Sequence, residues 1–347
     1  MTLQIFLKIF SKKRHLITLG LIVILLVLIG LNDYLSIGPG NWNLHEIKRT
    51  AQAKPNENFS FAVLADNKNG YKTFKRILKD VENNDYVFAI DVGDLVYDAE
   101  KAKFRIFYNL IKNLKTPFLV APGNHDIRET GEGNYFDIFG QPYYSFTYNN
   151  SLFIVLDTSN GQVIDEVQMG WVEKELQKNY KHKFVFSHYS PFDPRPNFWH
   201  ALGDRANGEK FIALLAKYKP DIVFVSHIHG YYDVSRDGVE YIITGGAGGE
   251  LLTDDPDHNF YHYIKVDVLG DRVNKTVIRF PTPSTNYIER MAYDGWLYVN
   301  AFWVTHKYGT ILITIILILL VDFLRWNVSF SKSQVFFGSL IAFSRYE

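Results

Sequence analysis

Residues able to bind a metal ion stand where the apolar segments of this chain end, and this pattern restricts the fold more than any other feature. They are Asp66, Asp94, Asn124, His188, His227 and His229. Five segments supply them, each typical of a buried strand, such as FSFAVLA before Asp66 and DIVFVS before His227. In α/β folds the loops at the carboxyl ends of strands converge on one crevice. We therefore expect the six side chains to meet at one site.

Strands alternate with helices through most of the chain. The hydrophobic periodicity and turn residues predict strands at 59–66, 86–94, 117–126, 183–190 and 221–230, helices at 71–83, 99–115, 165–180 and 209–218, a hairpin around Asn149-Asn150, and short strands from 231 to 280. This order predicts an α/β fold, namely a four-layer α/β/β/α sandwich with mixed sheets.

The chain contains no cysteine, which excludes disulfides, zinc–thiolate sites and thiol nucleophiles. A metal ion must therefore bind to His, carboxylate, amide or phenolate groups. The formal net charge is zero, and the basic residues near both ends leave an acidic middle segment. We expect no nucleic-acid partner, because such proteins usually carry a basic surface. The oligomeric state is left open.

The two ends of the chain are apolar and basic. The uncharged run from Leu16 to Leu31 approaches the length that a membrane span requires, although a cleaved signal peptide has a similar pattern. A second run, Tyr308 to Val321, is read as another span, with a buried strand or helix as the alternative. The predicted organisation is a basic cytoplasmic segment 1–14, a transmembrane anchor 15–36, a linker 37–58, a catalytic domain 59–295, a second transmembrane helix 305–325 and a basic tail 326–347. Basic ends favour the cytoplasm, so the domain is expected at the membrane on the non-cytoplasmic side, facing a periplasm, the exterior or a lumen.

Five blocks of the chain resemble the calcineurin-like metallophosphoesterase superfamily, whose motifs run D-x-H, G-D-x-x-D/Y, G-N-H-D/E, H and G-H-x-H. Here they read Asp66-Asn67-Lys68, Gly93-Asp94-Leu95-Val96-Tyr97, Gly123-Asn124-His125-Asp126, Ser187-His188 and Ser226-His227-Ile228-His229. The resemblance covers roughly residues 59–265. It implies the four-layer sandwich and a centre of two metal ions that acts on phosphate esters.

The resemblance also assigns the ligands. One ion is expected to bind Asp66, Asp94, His229 and, as one hypothesis, Tyr97, whereas the other is expected to bind Asp94, Asn124, His188 and His227. A carboxylate has two oxygens, so Asp94 is expected to bridge the two ions. Lys68 departs from the family pattern, since it replaces a histidine and its ammonium has no lone pair.

Tyr97 belongs to a G-D-x-x-Y block that resembles purple acid phosphatases, whose tyrosine binds a ferric ion. The G-D-x-G block of that branch is absent here, and the alternative is that Tyr97 packs on the following helix. The expected cofactors are two divalent or mixed-valence ions of Fe, Mn or Zn, with Fe(III) if the Tyr97 phenolate is a ligand.

By the same resemblance, His125 is expected to protonate the leaving oxygen with help from Asp126, or else only to stack on its loop. The predicted function is membrane-anchored hydrolysis of phosphomonoesters or phosphodiesters, lipid-linked head groups included, by a water activated by the two metals. The partners are therefore a phosphate ester and the lipid bilayer. The alternative, which Lys68 favours, is a non-catalytic metal- or ligand-binding membrane scaffold or sensor of the same fold.

Three further features are weaker. The loop Asp193–Gly208 is read either as a substrate-binding loop, through Arg195, His200 and Arg205, or as a solvated surface loop. The glycines from 245 to 249 are expected to let the backbone pass close to the metal site. Asp91 is expected either to support the site or to cap a turn.

Overall fold

The structure is a computed structural model. It divides into two compact units, one of Ile37–Ala301 and the other of Met1–Ser36 with Phe302–Glu347. The structure describes residues 20–29, 40–128, 131–251, 255–281, 292, 295–296, 299, 303, 308–316 and 318–319. In the unit formed by the two ends, residues 20–29, 308–316 and 318–319 are helical. The other residues of the predicted spans 15–36 and 305–325, and the predicted ends 1–14 and 326–347, lie outside the described residues. Among the residues described, no helix has both the length and the apolar content needed to cross a membrane.

The first sheet has five strands, in the order β11-β10-β1-β2-β3. Its parallel strands are β1 (Asn58–Leu64), β2 (Ala89–Asp91) and β3 (Phe118–Val120), and its antiparallel strands are β10 (Tyr261–Leu269) and β11 (Arg272–Phe280). The connecting helices are α2 (Tyr71–Glu82) and α3 (Lys101–Ile111), and α4 (Gly131–Phe139) follows β3. The predicted strands are thus present but shorter, because pairing stops where the ligand-bearing loops begin. Helix α4 was not predicted.

The second sheet has six strands, in the order β4-β5-β6-β7-β9-β8. They are β4 (Tyr144–Tyr148), β5 (Ser151–Val155), β6 (His182–Ser187), β7 (Ile222–Val225), β8 (Tyr231–Arg236) and β9 (Val239–Thr244), with helices α5 (Glu166–Gln177) and α6 (Arg205–Tyr218). Strands β4 and β5 form the predicted hairpin, with Tyr148 opposite Ser151. The pairs β5–β6 and β6–β7 are parallel.

The two sheets enclose an aromatic core. Phe61, Phe88 and Phe153 are fully buried there, and the Phe61 ring lies 5.0 Å from that of Phe88 and 5.4 Å from that of Phe153. Helices lie on the outer faces: the rings of Phe74 and Phe107, from α2 and α3, both contact that of Phe118, and α5 and α6 share a second core with the other sheet. The prediction of an α/β fold with two mixed sheets is confirmed.

Residues 42–52 correct the prediction of a polar linker at 37–58, because they form helix α1 (Trp42–Gln52). Strand β3 is the edge of its sheet, and α1 binds that edge. The Trp42 Nε1–H donates to the Phe118 carbonyl (2.7 Å), and the Asn43 amide bonds both the N–H and the carbonyl of Val120 (3.0 Å each). The helix therefore satisfies backbone groups that an edge strand leaves open.

Candidate metal centre

The six predicted ligand residues all lie in loops at the carboxyl ends of parallel strands, as the sequence predicts. Asp66 follows β1, Asp94 follows β2, Asn124 follows β3, His188 follows β6, and His227 and His229 follow β7. The first three loops belong to one sheet and the last two to the other. Because the sheets pack face to face, the site lies at their common edge.

The ligand atoms form two groups that share Asp94. One comprises Asp94, His188 and His227, and the other comprises Asp66, Asp94 and His229. Within each group the candidate ligand atoms lie within 4.8 Å of one another, and all these residues are buried. The Asn124 amide oxygen lies 3.2 Å from the His188 Nε2, beside the first group. A carboxylate common to both groups has the position expected of a bridging ligand.

Backbone carbonyls fix which nitrogen of two histidines faces the site. The His188 Nδ1–H donates to the Val92 carbonyl (3.0 Å), which leaves Nε2 facing the Asp94 Oδ1 at 3.3 Å. The His229 Nδ1–H donates to the Glu250 carbonyl, and its Nε2 lies 3.4 Å from the Asp66 Oδ1. Such a bond on one ring nitrogen orients the other as a metal ligand.

Among the described residues, the buried Asp66 Oδ1 and His227 Nδ1 of the site lack a hydrogen-bond partner. The His227 ring is held between those of Tyr189 and His200, at centroid distances of 3.8 and 4.0 Å. An unsatisfied buried acceptor typically costs about 1–3 kcal/mol, and a cation would satisfy both atoms. Carboxylate oxygens mixed with imidazole nitrogens suit ions such as Mn, Fe and Zn. These residues therefore fit the metal ions that the motifs imply.

Burial and the pairing of opposite charges shift the pKa values of the site. Burial alone would raise the pKa of Asp94, but His188 and Lys68 outweigh it and hold that pKa well below its usual range. Burial alone would lower the pKa of His188, but the carboxylates of Asp94 and Asp66 raise it to about 9. Burial, together with His188 and His200, lowers the pKa of His227 far below its usual value. The site thus combines anionic carboxylates with a neutral imidazole at His227, and both bind cations.

Three ligand residues have left-handed backbone conformations: φ is 60° at Asp66, 60° at Asp94 and 65° at His227. Residues other than glycine rarely adopt such values, and they concentrate at functional sites. Two glycines let these loops pack closely. A Cβ on Gly123 would lie 2.2 Å from the Asp94 nitrogen, and one on Gly245 would lie 2.8 Å from the Asp66 Oδ2, which agrees with the role predicted for the glycines at 245–249.

Asp126 joins two loops of the site. Its buried carboxylate accepts hydrogen bonds from backbone N–H groups, those of Asp94 (2.9 Å), Leu95 (3.2 Å), Val96 (3.2 Å) and Gly123 (2.8 Å). Burial and the Asp94 charge raise its pKa to about 7. Asp126 thus holds the loop after β2 against the loop after β3, because four N–H groups converge on it. Its help for His125 stays a prediction.

The His125 imidazole lies beside the first and second metal groups. Its Nδ1–H donates to the Tyr97 carbonyl (2.5 Å), so that Nε2 faces inward, 4.0 Å from the Asp94 Oδ2. The Arg128 guanidinium donates to this Nε2 at 3.1 Å. Burial, with Lys68 and Arg128, lowers the pKa of His125 against the pull of Asp94. Arg128 was missed from the sequence, where its only signal is its place two residues after Asp126.

Tyr97 and Lys68, the two departures from the motif, differ in position. The Tyr97 side chain is 51% exposed, unlike the buried acidic and histidine ligands, and its ring lies 5.1 Å from that of His125. It packs on His125, and its role as a ligand stays a prediction. The Lys68 ammonium is nearly buried and lies 3.0 Å from the Asp94 Oδ2.

The loop Asp193–Gly208 brings one of its three predicted residues to the site. The His200 ring contacts that of His227, and its backbone N–H donates to Asp193 (2.7 Å). Arg195 forms a two-bond pair with Asp193, and Arg205 lies over the Trp199 ring at 3.9 Å. Both guanidinium groups thus bind within the loop itself.

Two other residues support the site. The Asp91 Oδ2 accepts a hydrogen bond from the Asn67 side chain at 3.2 Å, and burial, then Asp126, raises the pKa of Asp91 well above its usual range. Asp91 therefore supports the loop that carries Asp66. Tyr189, which stacks on His227, was not predicted; its signal is an aromatic residue directly after a ligand.

Comparison with known proteins agrees with this site. The model of the calcineurin-like phosphoesterase family matches residues 59–231. A protein of Fibrobacter succinogenes named a probable cyclic nucleotide phosphodiesterase is 27% identical over 158 residues, which is 44% of this chain and 61% of that protein. One of Arcobacter nitrofigilis, named a probable glycerophosphodiester phosphodiesterase, is 25% identical over 156 residues, 40% of this chain and 55% of that protein. The matches thus span less than two thirds of either relative.

Among solved structures, the purple acid phosphatase PPD1 of yellow lupin (Lupinus luteus) matches with a TM-score of 0.49 and 17% identity, over 65% of this chain and 52% of that one. The family match covers the loops that carry Asp66, Asp94, Asn124, His188, His227 and His229. Through residues 59–231, the chain belongs to the calcineurin-like phosphoesterase family.

Proposed function

We propose that the chain is a metal-dependent hydrolase of phosphate esters. The observation that carries the proposal is the meeting of two metal-binding groups at Asp94. In the part of the chain that the structure describes, the buried Asp66 Oδ1 and His227 Nδ1 of these groups have no hydrogen-bond partner. Membership of the calcineurin-like phosphoesterase family supports it. Metal ions would be held by Asp66, Asp94 and His229 and by Asp94, Asn124, His188 and His227. When bound, they would supply Lewis acidity to the phosphate and to the attacking water.

The residues of the chain have separate parts in this reaction. Asp94 joins the two groups, and Asp126 fixes the Asp94 loop through backbone N–H groups. The Tyr97 carbonyl orients His125 so that its Nε2 faces the site. Because Nε2 accepts from Arg128 in the structure, it would first take up a proton and then pass it to the leaving oxygen of the ester. The Arg128 guanidinium, 3.1 Å from the same nitrogen, would bind a phosphate oxygen once the substrate enters.

The proposed substrates are phosphodiesters. The two curated relatives carry phosphodiesterase names, one for cyclic nucleotides and one for glycerophosphodiesters. A glycerophosphodiester is also the linkage of a phospholipid head group, so lipid-linked substrates belong to the same class. Comparing hydrolysis of bis(p-nitrophenyl) phosphate with that of p-nitrophenyl phosphate tests the preference. A clear preference for the monoester would contradict this part of the proposal.

The hydrolysis itself is tested with the purified full-length chain, supplied with Mn²⁺, and the variant Asp94→Asn. We expect hydrolysis to fall by roughly 10³-fold or more, since both metal groups lose a charged ligand. The matched control is Asp271→Asn, because Asp271 is 90% exposed in its side chain and lies on the turn after β10. If the wild-type chain binds Mn²⁺ but hydrolyses no ester, the non-catalytic scaffold or sensor becomes the better hypothesis.

We also propose that the chain is attached to a membrane, with the phosphoesterase domain on the non-cytoplasmic side. The support is the apolar run Leu16–Leu31 behind the basic residues Lys12, Lys13 and Arg14. The test is cell fractionation followed by protease treatment of intact cells or vesicles. Recovery of the full-length chain from the soluble fraction would contradict the proposal.

A further inference from the structure

Lys68 lies in the loop after β1, two residues beyond Asp66, with a left-handed φ of 38°. Its backbone N–H donates to the Asp94 carbonyl at 3.0 Å. The side chain then turns to the carboxylate of the same residue, where its Nζ lies 3.0 Å from the Asp94 Oδ2. Only 12% of the Lys68 side chain is exposed. The backbone and the ammonium of one residue thus bind the aspartate that joins the two metal groups.

The two oxygens of Asp94 have different surroundings. Oδ1 accepts the His125 backbone N–H (2.9 Å) and lies 3.3 Å from the His188 Nε2, next to the Asn124 side chain. Oδ2 is the oxygen that pairs with Lys68. If Oδ1 binds an ion together with His188, Oδ2 is the oxygen left for the group of Asp66 and His229. A metal ion at that group would therefore compete with the ammonium for the same carboxylate oxygen.

The two groups also differ in number of ligands. In the described part of the chain, the group of Asp94, Asn124, His188 and His227 offers four side chains, whereas the buried side chains of the other are Asp66, Asp94 and His229. A histidine at position 68 would add an imidazole to the smaller group, but an ammonium has no lone pair to donate. It also repels a dication at short range, and this repulsion is strong in a buried site.

We propose that the ammonium of Lys68 weakens the metal position formed by Asp66, Asp94 and His229, so that the chain binds one metal ion tightly, at Asp94, Asn124, His188 and His227. The inference rests on the proposed metal-dependent function, and it narrows that function to an unequal centre. The ammonium of Lys68 is fixed in the site, and it supplies part of the positive charge that a second tightly bound ion would bring. We expect a second ion to bind at least about 100-fold more weakly than the first.

The test measures Mn²⁺ binding to the metal-stripped full-length chain, with isothermal titration calorimetry for the affinities and electron paramagnetic resonance for the bound ions. Wild type is compared with Lys68→His, which supplies a ligand, and with Lys68→Met, which removes the charge and supplies none. Circular dichroism checks that each variant is folded; histidine tolerates left-handed backbone conformations. Neither measurement depends on hydrolytic activity.

We expect one tight Mn²⁺ and the signal of an isolated ion in wild type. Lys68→His is expected to bind two ions tightly and to give the signal of a magnetically coupled pair, while Lys68→Met tightens the second ion by about tenfold through loss of repulsion. Two equally tight ions in wild type, or an unchanged second affinity in Lys68→His, would overturn the inference and leave the proposed function intact. Absence of Mn²⁺ binding in all three proteins would overturn the proposed function, and this inference with it.

Discussion

At the scale of single residues, the site depends on groups that bind no metal. Asp126 collects backbone N–H groups from two loops, and Gly123 leaves room for the Asp94 backbone. Three ligand residues have left-handed φ values, which neighbouring bonds must hold in place. Changes at the supporting residues are therefore expected to act on metal affinity through the position of the ligands.

The variant Asp126→Asn tests whether Asp126 positions the metal ligands or helps His125 to transfer a proton. The asparagine would place an NH₂ donor group opposite backbone N–H donors. We therefore expect a loss of about 1–3 kcal/mol in the free energy of unfolding and weaker Mn²⁺ binding. Excess Mn²⁺ should restore most of kcat. The measurements are urea unfolding and activity titrated with metal. A kcat that stays low at saturating Mn²⁺, with metal affinity unchanged, would instead support the role predicted from the sequence.

Gly123→Ala tests the close approach of the loops after β2 and β3. The added Cβ would lie 2.2 Å from the Asp94 nitrogen and 2.3 Å from its Oδ1, so the loops must separate. We expect a destabilisation of about 1–3 kcal/mol and loss of tight Mn²⁺ binding. Gly133→Ala is the matched control, because Gly133 lies within α4 with open space around its Cβ position. It should stabilise the protein by about 0.5–1 kcal/mol.

At the scale of elements, helix α1 shows how polar side chains can build a secondary structure that hydrophobic periodicity does not reveal. Its buried residues are Trp42, Asn43, Glu46 and Thr50. The Glu46 carboxylate accepts the Phe118 N–H at 2.9 Å, and Trp42 and Asn43 bond the same strand. The helix thus covers the edge of β3 through hydrogen bonds, which blocks pairing with another strand.

Asn43→Ala is expected to lower the free energy of unfolding by about 1–3 kcal/mol. The variant leaves the buried N–H of Val120 without its partner, whereas the Val120 carbonyl keeps the hydroxyls of Tyr135 and Tyr144. Leu44→Ala, on the exposed side of the same helix, should change stability by no more than about 0.5 kcal/mol. Urea unfolding of the two variants measures the difference. Equal effects would show that α1 contributes little to the domain.

The sequence predicted the strands and the ligands because both follow local patterns: apolar runs fix the strands, and Asp94 or His227 stands directly after one. It could not predict α1, whose stabilising partners in β3 lie more than 70 residues away. The role of Asp126 also depends on a tertiary contact, since its donors include Leu95 and Val96. Position in the sequence next to His125 suggested a different partner.

At the scale of the whole molecule, the two sheets meet in an apolar core, and a buried histidine forms a polar link between them. His262 of β10 is fully buried. Its Nδ1–H donates to the Phe260 carbonyl (2.8 Å), and its Nε2 accepts from the hydroxyl of Thr244 in β9 at 3.0 Å. This arrangement requires a neutral imidazole, because the second bond uses the lone pair of Nε2.

The link predicts a pH dependence of stability. Burial lowers the pKa of His262 to about 4, aided by Arg279 and opposed by the Phe260 carbonyl and Asp66. In the unfolded chain the pKa is the ordinary value of about 6.5, so the unfolded state takes up a proton first as the pH falls. The stabilisation is complete above about pH 6.5 and is lost progressively down to about pH 4, by about 3 kcal/mol in total.

Urea unfolding of wild type and of His262→Gln between pH 8 and pH 4 isolates this contribution, because other titrating groups act on both proteins. We expect the stability difference between the two proteins to shrink as the pH falls through this window. A difference that stays constant would show that His262 keeps its ordinary pKa and that the two sheets are joined independently of its protonation.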